Sequence, residues 1–258
     1  MALKLSLPND LEEQLPEIIR SIATNYNIPE YVEDPDFLQP RLKAWHQFGL
    51  LTHTKKVRQA FIKDYKRLLS EYNVYNLVEE ELSKQIDKES KKLLLEISLP
   101  LHDLGKIVVA KSNLITRNHE QESENLINGF LKSRLLEFNL TKQHIQYISR
   151  IVKNHGIIGS KIREYFKVKN KLTLEELSIN ETNYLCSEVA KEYQDIKCEI
   201  GIYFLCDSLA KTDITYTDSS RIESILSEKR LPAELKSAII QRPINIKISE
   251  IYFKNLFK

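Results

Sequence analysis

The chain is poor in the residues that make turns. Glycine occurs 6 times in 258 residues, and only three of the 8 prolines follow residue 40. Because both residues interrupt helices, their scarcity beyond the N-terminal segment is typical of a mostly helical protein. We therefore expect one all-α domain.

Cysteine, net charge and long apolar runs are also scarce. The three cysteines are odd in number and form no CxxC pair, and nothing resembling a signal peptide precedes them, so we expect reduced thiols and a cytoplasmic location. A formal net charge of +2 gives no indication of a nucleic-acid or membrane partner. No apolar run approaches the roughly 20 residues that a membrane-spanning helix needs.

Apolar residues recur with helical spacing through most of the chain. These patterns predict helices that include residues 9–26, 71–92, 183–211, 218–228 and 232–241. Pro100 should end the helix that precedes it, and Thr141 should cap a helix that runs as far as His155. The isoleucines of residues 244–248 alternate as in a strand, although no partner strand is evident.

An adjacent histidine and aspartate stand at the end of an apolar run. His102 and Asp103 follow Leu99-Pro100-Leu101 and are followed at once by Leu104-Gly105-Lys106. Burying an imidazole beside a carboxylate is costly unless a cation compensates both groups, and a metal ion is the usual one. The pair is therefore our first candidate for a metal site.

Three further histidines stand where a metal ligand can be presented. His53 begins an amphipathic helical pattern, His119 lies at the predicted start of a helix, and His155 ends one just before Gly156. Ordinary packing explains any single histidine, so the prediction of a metal site depends on all of these histidines taken together with the His102-Asp103 pair. His46 competes with His53 for the position of the first ligand.

A carboxylate further along the chain lies in an unfavourable apolar context. Asp207 falls within the helical run Phe204–Leu209, where it would be buried without a partner unless it met a cation. Asp213 could take its place, but it lies outside the apolar run. The remaining histidine of this half, His144, is interpreted as a surface residue.

In order along the chain, these residues resemble the HD-domain metal-dependent phosphohydrolase superfamily, in its H…HD…H…H…D arrangement. The matching residues are His53, His102-Asp103-Leu104-Gly105-Lys106, His119-x3-Ser123, Val152-x2-His155 and Asp207. The resemblance implies an all-α helical bundle of the HD type. It predicts an N-terminal helical extension over 1–49, the HD core over 50–213, and C-terminal helices with a tail over 214–258.

The resemblance also implies a ligand set and a mechanism. Two divalent transition metal ions would be bridged by Asp103, one held also by His53, His102 and Asp207, and the other by His119 and His155. This mixture of imidazoles and carboxylates suits Fe, Mn, Zn, Co or Ni and does not choose among them. Asp103 and Lys106 would be the catalytic residues, with a metal-bridging hydroxide as nucleophile and Lys106 holding the substrate phosphate.

We therefore expect a hydrolase of phosphomonoesters or phosphodiesters. Its partner would be a small phosphorylated substrate, with a nucleotide as the leading candidate. The alternatives are a non-catalytic HD module that binds a nucleotide or RNA, and a phosphatase or phosphodiesterase that processes RNA ends. The near-neutral charge and the lack of a recognisable RNA-binding motif do not support a nucleic-acid partner.

Overall fold

The computed structural model describes residues 6–39, 47–111, 119–168, 179–213 and 233–258, and this part of the chain is predominantly helical. The all-α prediction is confirmed. The helices up to residue 98 are α1 (Leu7–Tyr26), α2 (Pro29–Glu33), α3 (Leu50–Lys63), α4 (Tyr65–Glu71), α5 (Tyr75–Ser83) and α6 (Lys91–Ser98). Those that follow are α7 (Gly105–Lys111), α8 (His119–Asn128), α9 (Lys132–Glu137), α10 (Lys142–Asn154), α11 (Ile157–Val168), α12 (Ile179–Glu192), α13 (Lys197–Leu209) and α14 (Ala233–Leu256).

A small hairpin interrupts the helix predicted over 71–92. Its strands are β1 (Gln85–Ile86) and β2 (Glu89–Ser90), paired antiparallel with Gln85 opposite Ser90. Asp87 and Lys88 between them have φ values of 44° and 75°, in the left-handed region that a two-residue hairpin turn of the primed type requires. The continuous helix predicted here is therefore wrong, because the chain reverses direction at this turn.

The chain divides into two compact units. The described residues of the first unit lie within Met1–Gln39, Phe48–Arg58 and Glu79–His155. Those of the second lie within Pro40–Gln47, Gln59–Val78 and Gly156–Lys258. The division predicted from the resemblance, at residues 49 and 213, stays a prediction.

In the first unit, α10 packs against α6 and α8, while α1 packs against α2, α6 and α7. The helix before His102 ends at Ser98, and Leu99–Leu101 forms a short 3-10 turn, so the predicted effect of Pro100 is confirmed. The Thr141 hydroxyl accepts the backbone N–H of His144, and α10 ends with His155 as its C-cap. This second helix boundary is also confirmed.

In the second unit, α13 packs against α11, α12 and α14. A Cβ atom on Gly201 would lie 2.7 Å from the Tyr252 ring, so glycine permits the close approach of α13 and α14. The single helix predicted over 183–211 is wrong, since α12 ends at Glu192 and α13 begins at Lys197. Residues 244–248, which alternate like a strand, are helical and belong to α14.

None of the helices in the described ranges has the combined length and hydropathy that a membrane crossing requires.

Candidate metal centre

Four structural elements of the first unit each deliver one part of a buried polar cluster. His53 lies in the first turn of α3, and His102 and Asp103 lie between the 3-10 turn and α7. His119 is the first residue of α8, and His155 directly follows α10.

The cluster is organised around the carboxylate of Asp103, which is 1% exposed. Its Oδ2 lies 3.4 Å from His53 Nε2 and 3.2 Å from His102 Nε2. Its Oδ1 lies 3.3 Å from His119 Nε2 and 3.8 Å from His155 Nε2. The structure thus brings together the five predicted ligands that belong to the first unit.

Backbone carbonyls fix which nitrogen of two histidines carries the proton. His102 Nδ1 lies 2.7 Å from the Leu99 carbonyl oxygen, and His155 Nδ1 lies 2.6 Å from that of Val152. A carbonyl oxygen only accepts hydrogen bonds, so both Nδ1 atoms must be donors. In the neutral imidazole, the lone pair of Nε2 then faces Asp103. Two acceptors face each other stably only if a proton or a metal ion lies between them.

For His155, a proton does not meet this requirement at neutral pH, whereas a metal ion would. Burial, reinforced by the neighbouring His102 and His119, lowers the pKa of His155 from 6.5 to about 3. His155 is therefore a neutral imidazole, which is the form that binds metals. Burial on its own would raise the pKa of Asp103, but His102 and Lys106 hold it well below its usual range, so this residue is a carboxylate.

The spacing of the ligand atoms fits a transition metal. Two donors that each lie about 2.0–2.2 Å from one ion, at tetrahedral to octahedral angles, are about 3.0–3.5 Å apart. Three of the four imidazole-to-carboxylate distances, at 3.2, 3.3 and 3.4 Å, fall in this range. Within the described part of the chain, Asp103 Oδ1 accepts no well-aligned hydrogen bond, although it is fully buried. A cation beside it would satisfy this oxygen.

Lys106 is the cation that touches the carboxylate in this structure. Its Nζ lies 2.5 Å from Asp103 Oδ2, and the residue is 5% exposed. The ammonium group and a metal ion would compete for the same oxygen. Lys106 therefore lies at the centre of the cluster, while its predicted role in holding a phosphate stays a prediction.

An unusually close helix contact fixes the spacing between Asp103 and His119. The backbone N–H of Gly105 donates to Ser123 Oγ at 2.8 Å, and a Cβ atom on Gly105 would lie 2.0 Å from the His119 carbonyl oxygen. Only glycine allows α7 and α8 to approach this closely. The Gly of the Leu104-Gly105-Lys106 sequence and the Ser four residues after His119 therefore form one contact.

The two carboxylate candidates from the later part of the chain belong to the second unit. Asp207 is on α13, with its Oδ2 3.5 Å from Lys211 Nζ. Asp213 is exposed, as expected for a solvated carboxylate. His46 lies outside the described residues, so its competition with His53 stays open.

Two residues differ from what the sequence indicated. The sequence pattern did not indicate Glu120, yet its Oε2 lies 3.1 Å from His119 Nδ1, the kind of contact that orients histidines in metal sites. Its position directly after His119, a candidate ligand, is the one feature of the sequence that could have indicated this contact. His144, predicted at the surface, is 2% exposed. Its Nε2 lies 3.0 and 3.1 Å from the carbonyl oxygens of Ile86 and Asp87, so it supports the hairpin turn.

The buried cluster of histidines around one aspartate could hold a metal ion, which is compatible with an HD-type site. Comparisons with protein-family models, with curated proteins and with solved structures found no match.

Proposed function

We propose that this protein is a metal-dependent phosphohydrolase of the HD type that cleaves a phosphomonoester or phosphodiester. The observation that carries the proposal is the convergence of four imidazoles on one buried carboxylate, with each Nε2 atom 3.2–3.8 Å from one of its oxygens. Such a donor set suits a divalent transition metal rather than calcium or magnesium. The order of the same residues along the chain supports the HD assignment.

Both oxygens of Asp103 have two imidazoles beside them. Oδ2 faces His53 and His102, whereas Oδ1 faces His119 and His155. This even distribution supports two metal positions with Asp103 between them. Bound metal ions of this kind supply an activated water near neutral pH and positive charge for the phosphoryl oxygens.

The protein's own residues set the charge of Asp103 and the orientation of the imidazoles around it. The Asp103 carboxylate stays ionised because the Lys106 ammonium that contacts it offsets its burial. His102 and His155 are held in one tautomer by backbone carbonyls, so their Nε2 atoms are available without rearrangement. Lys106, which pairs with Asp103 in this structure, is the residue that would hold the substrate phosphate.

The substrate proposed is a small phosphorylated molecule, with a nucleotide as the leading candidate. The proposal of Asp207 as an additional ligand rests on the resemblance. Metal identity would be set by availability as much as by these ligands, since imidazole and carboxylate accept several first-row metals.

The test is metal-dependent hydrolysis. The purified protein is stripped with a chelator, reloaded separately with Mn²⁺, Fe²⁺, Zn²⁺, Co²⁺ or Ni²⁺, and assayed with a generic aryl phosphate, an aryl phosphodiester and a nucleotide panel. We expect activity to disappear on stripping and to return with at least one metal. Asp103→Asn should bind less metal and lose hydrolysis, because an amide is a poorer ligand than a carboxylate.

Asp195→Asn is the matched control, since it makes the same change at an exposed carboxylate and should leave both properties unaltered. If Asp103→Asn retains full metal-dependent hydrolysis, the proposal is wrong. A protein that binds no transition metal under any loading condition would instead support the alternative of a non-catalytic module.

A further inference from the structure

The segment 34–39, which follows α2, contacts two of the elements that carry the metal centre. It first lies against the beginning of α3, where His53 is located, and then reaches the backbone of α7 at Lys106. The sequence pattern did not connect this segment with the site, because its polar residues are separated from the histidines along the chain.

Asp36 binds the residue next to His53 through both carboxylate oxygens. Its Oδ1 accepts the backbone N–H of Thr52 at 2.6 Å, and its Oδ2 accepts the Thr52 hydroxyl, also at 2.6 Å. A carboxylate at the first turn of a helix satisfies an N–H that has no partner within the helix. The second bond additionally fixes the Thr52 side chain.

The backbone of the segment lies directly on the first turn of α3. A Cβ atom on Gly49 would lie 1.5 Å from the Asp36 carbonyl oxygen, so only glycine fits at this position. The Gly49 carbonyl in turn accepts the backbone N–H of His53 at 2.9 Å. The Asp36 backbone therefore rests on the same helical turn that holds the His53 backbone.

Gln39 anchors the other end of the segment. Its Nε2 donates to the Lys106 carbonyl oxygen at 2.8 Å and to the Tyr31 hydroxyl at 2.9 Å, and the side chain is 6% exposed. Lys106 lies three residues after Asp103 and contacts its carboxylate. One short segment is thus hydrogen-bonded to α3, which carries His53, and to α7, which begins two residues after Asp103.

We propose that Asp36 is a positioning residue for the metal centre, holding α3 so that His53 Nε2 remains 3.4 Å from Asp103 Oδ2. The inference rests on the proposed function, because it assumes that these two residues share a metal ion. Groups that orient a ligand without touching the metal commonly change metal affinity by about 10- to 100-fold. Asp36 acts here on the helix that presents the ligand.

The test measures Zn²⁺ and Co²⁺ affinity by competition with a chromophoric chelator, so it does not depend on hydrolysis. Thr52→Val removes the hydroxyl bond and keeps the side-chain shape, and Asp36→Ala removes both bonds. We expect the apparent Kd for Zn²⁺ to rise about tenfold in the first variant and more in the second. The Co²⁺ absorption spectrum should change in both.

Two conservative variants and one remote variant serve as controls. Thr52→Ser keeps the hydroxyl, and Asp36→Asn keeps two hydrogen bonds, because a hydroxyl can accept from the amide. Both should bind Zn²⁺ within about threefold of the wild type. Ile22→Val weakens the core of α1, a helix that carries none of the candidate ligands, and should lower the melting temperature without changing metal affinity.

The possible outcomes distinguish a failure of the positioning role from a failure of the proposed function. If the wild type binds Zn²⁺ and both Thr52→Val and Asp36→Ala bind it equally well, the positioning role is wrong while the metal centre stands. The positioning role is equally wrong if their affinity loss merely tracks the loss of melting temperature, as in Ile22→Val. A wild type that binds neither Zn²⁺ nor Co²⁺ overturns the proposed function and the positioning role together.

Discussion

Replacing Gly105 with alanine should separate the helices that carry Asp103 and His119. The added Cβ atom would lie 2.0 Å from the His119 carbonyl oxygen, 2.5 Å from Ser123 N and 2.8 Å from Ser123 Oγ. Since non-bonded carbon contacts settle near about 3.5 Å, α8 must move away by more than about 1 Å. The atoms in the way are mostly backbone, so rotating a side chain does not relieve the contact.

Two effects lower the free energy of unfolding of Gly105→Ala. Overpacking of a core contact typically destabilises a protein by about 1–3 kcal/mol, and the buried Gly105 N–H would lose its bond to Ser123, worth about 1 kcal/mol. We expect Gly105→Ala to lower the free energy of unfolding by about 3 kcal/mol. It should also weaken Zn²⁺ binding, because His119 moves away from Asp103.

Urea denaturation followed by circular dichroism measures the first effect, and chelator competition measures the second. Gly129→Ala is the control, because the nearest atom to its added Cβ is Asn125 O at 3.0 Å, in an exposed turn. It should change stability by less than about 1 kcal/mol. An unfolding midpoint for Gly105→Ala equal to that of the wild type would refute the steric argument.

Three other changes test the support of His119, the buried Arg58 and the protonation of His155. Glu120→Ala should raise the apparent Kd for Zn²⁺ about tenfold, because it removes the carboxylate from His119 Nδ1. Glu120→Gln retains an acceptor and should have the smaller effect. Equal affinities in the wild type and both variants would show that Glu120 does not support His119. Arg58→Met should lower the free energy of unfolding by about 3 kcal/mol, because the buried guanidinium pairs with two glutamates. Arg67→Met, at an exposed pair, should lower it by less than about 1 kcal/mol. Denaturant titrations that show the larger loss for Arg67→Met would contradict the stabilising role of Arg58. The pKa of His155 falls from 6.5 to about 3 on folding, so between these values the unfolded chain binds more protons than the folded protein. The free energy of unfolding of the metal-free protein should therefore decrease by about 2 kcal/mol from pH 7 to pH 5, and by less in His155→Gln. Equal pH slopes for the two proteins in chemical denaturation would show that His155 is not the group responsible.

Local signals in the sequence predicted several helix boundaries of the first unit. Pro100 has no N–H to continue α6, and the Thr141 hydroxyl provides an acceptor at the start of α10, so both boundaries depend on chemistry within a few residues. His119 at the beginning of α8 belongs to the same class. These predictions succeeded because neighbouring residues alone determine them.

The failures involve contacts that a sequence pattern does not contain. The hairpin turn at Asp87 and Lys88 is supported by His144, which lies more than fifty residues later, so the local Glu- and Lys-rich pattern indicated a helix instead. Residues 244–248 follow Pro243 and alternate for only a few positions, yet Ile248 and Tyr252 are both buried one helical turn apart. Helical burial of α14 overrides the short alternation.

The candidate site was predicted residue by residue, but its support was not. His53, His102, His119 and His155 were singled out by their local contexts and by the resemblance to the HD-domain superfamily, and the structure places them around Asp103. The bonds made by Asp36 and Glu120 were not predictable, because carboxylates in turns and first helical turns are ordinary features of a sequence. Only their distances to Thr52 and His119 distinguish them.

The central claim is that Asp103 is the shared carboxylate of a metal centre. Anomalous diffraction from crystals of the Zn²⁺-loaded protein, recorded above and below the zinc absorption edge, tests it directly. We predict an anomalous peak at coordination distance from an Asp103 oxygen and from the Nε2 atoms of at least two of the four histidines, and a second peak beside the other oxygen. Crystals loaded in the same way that show no peak next to Asp103 would contradict this claim.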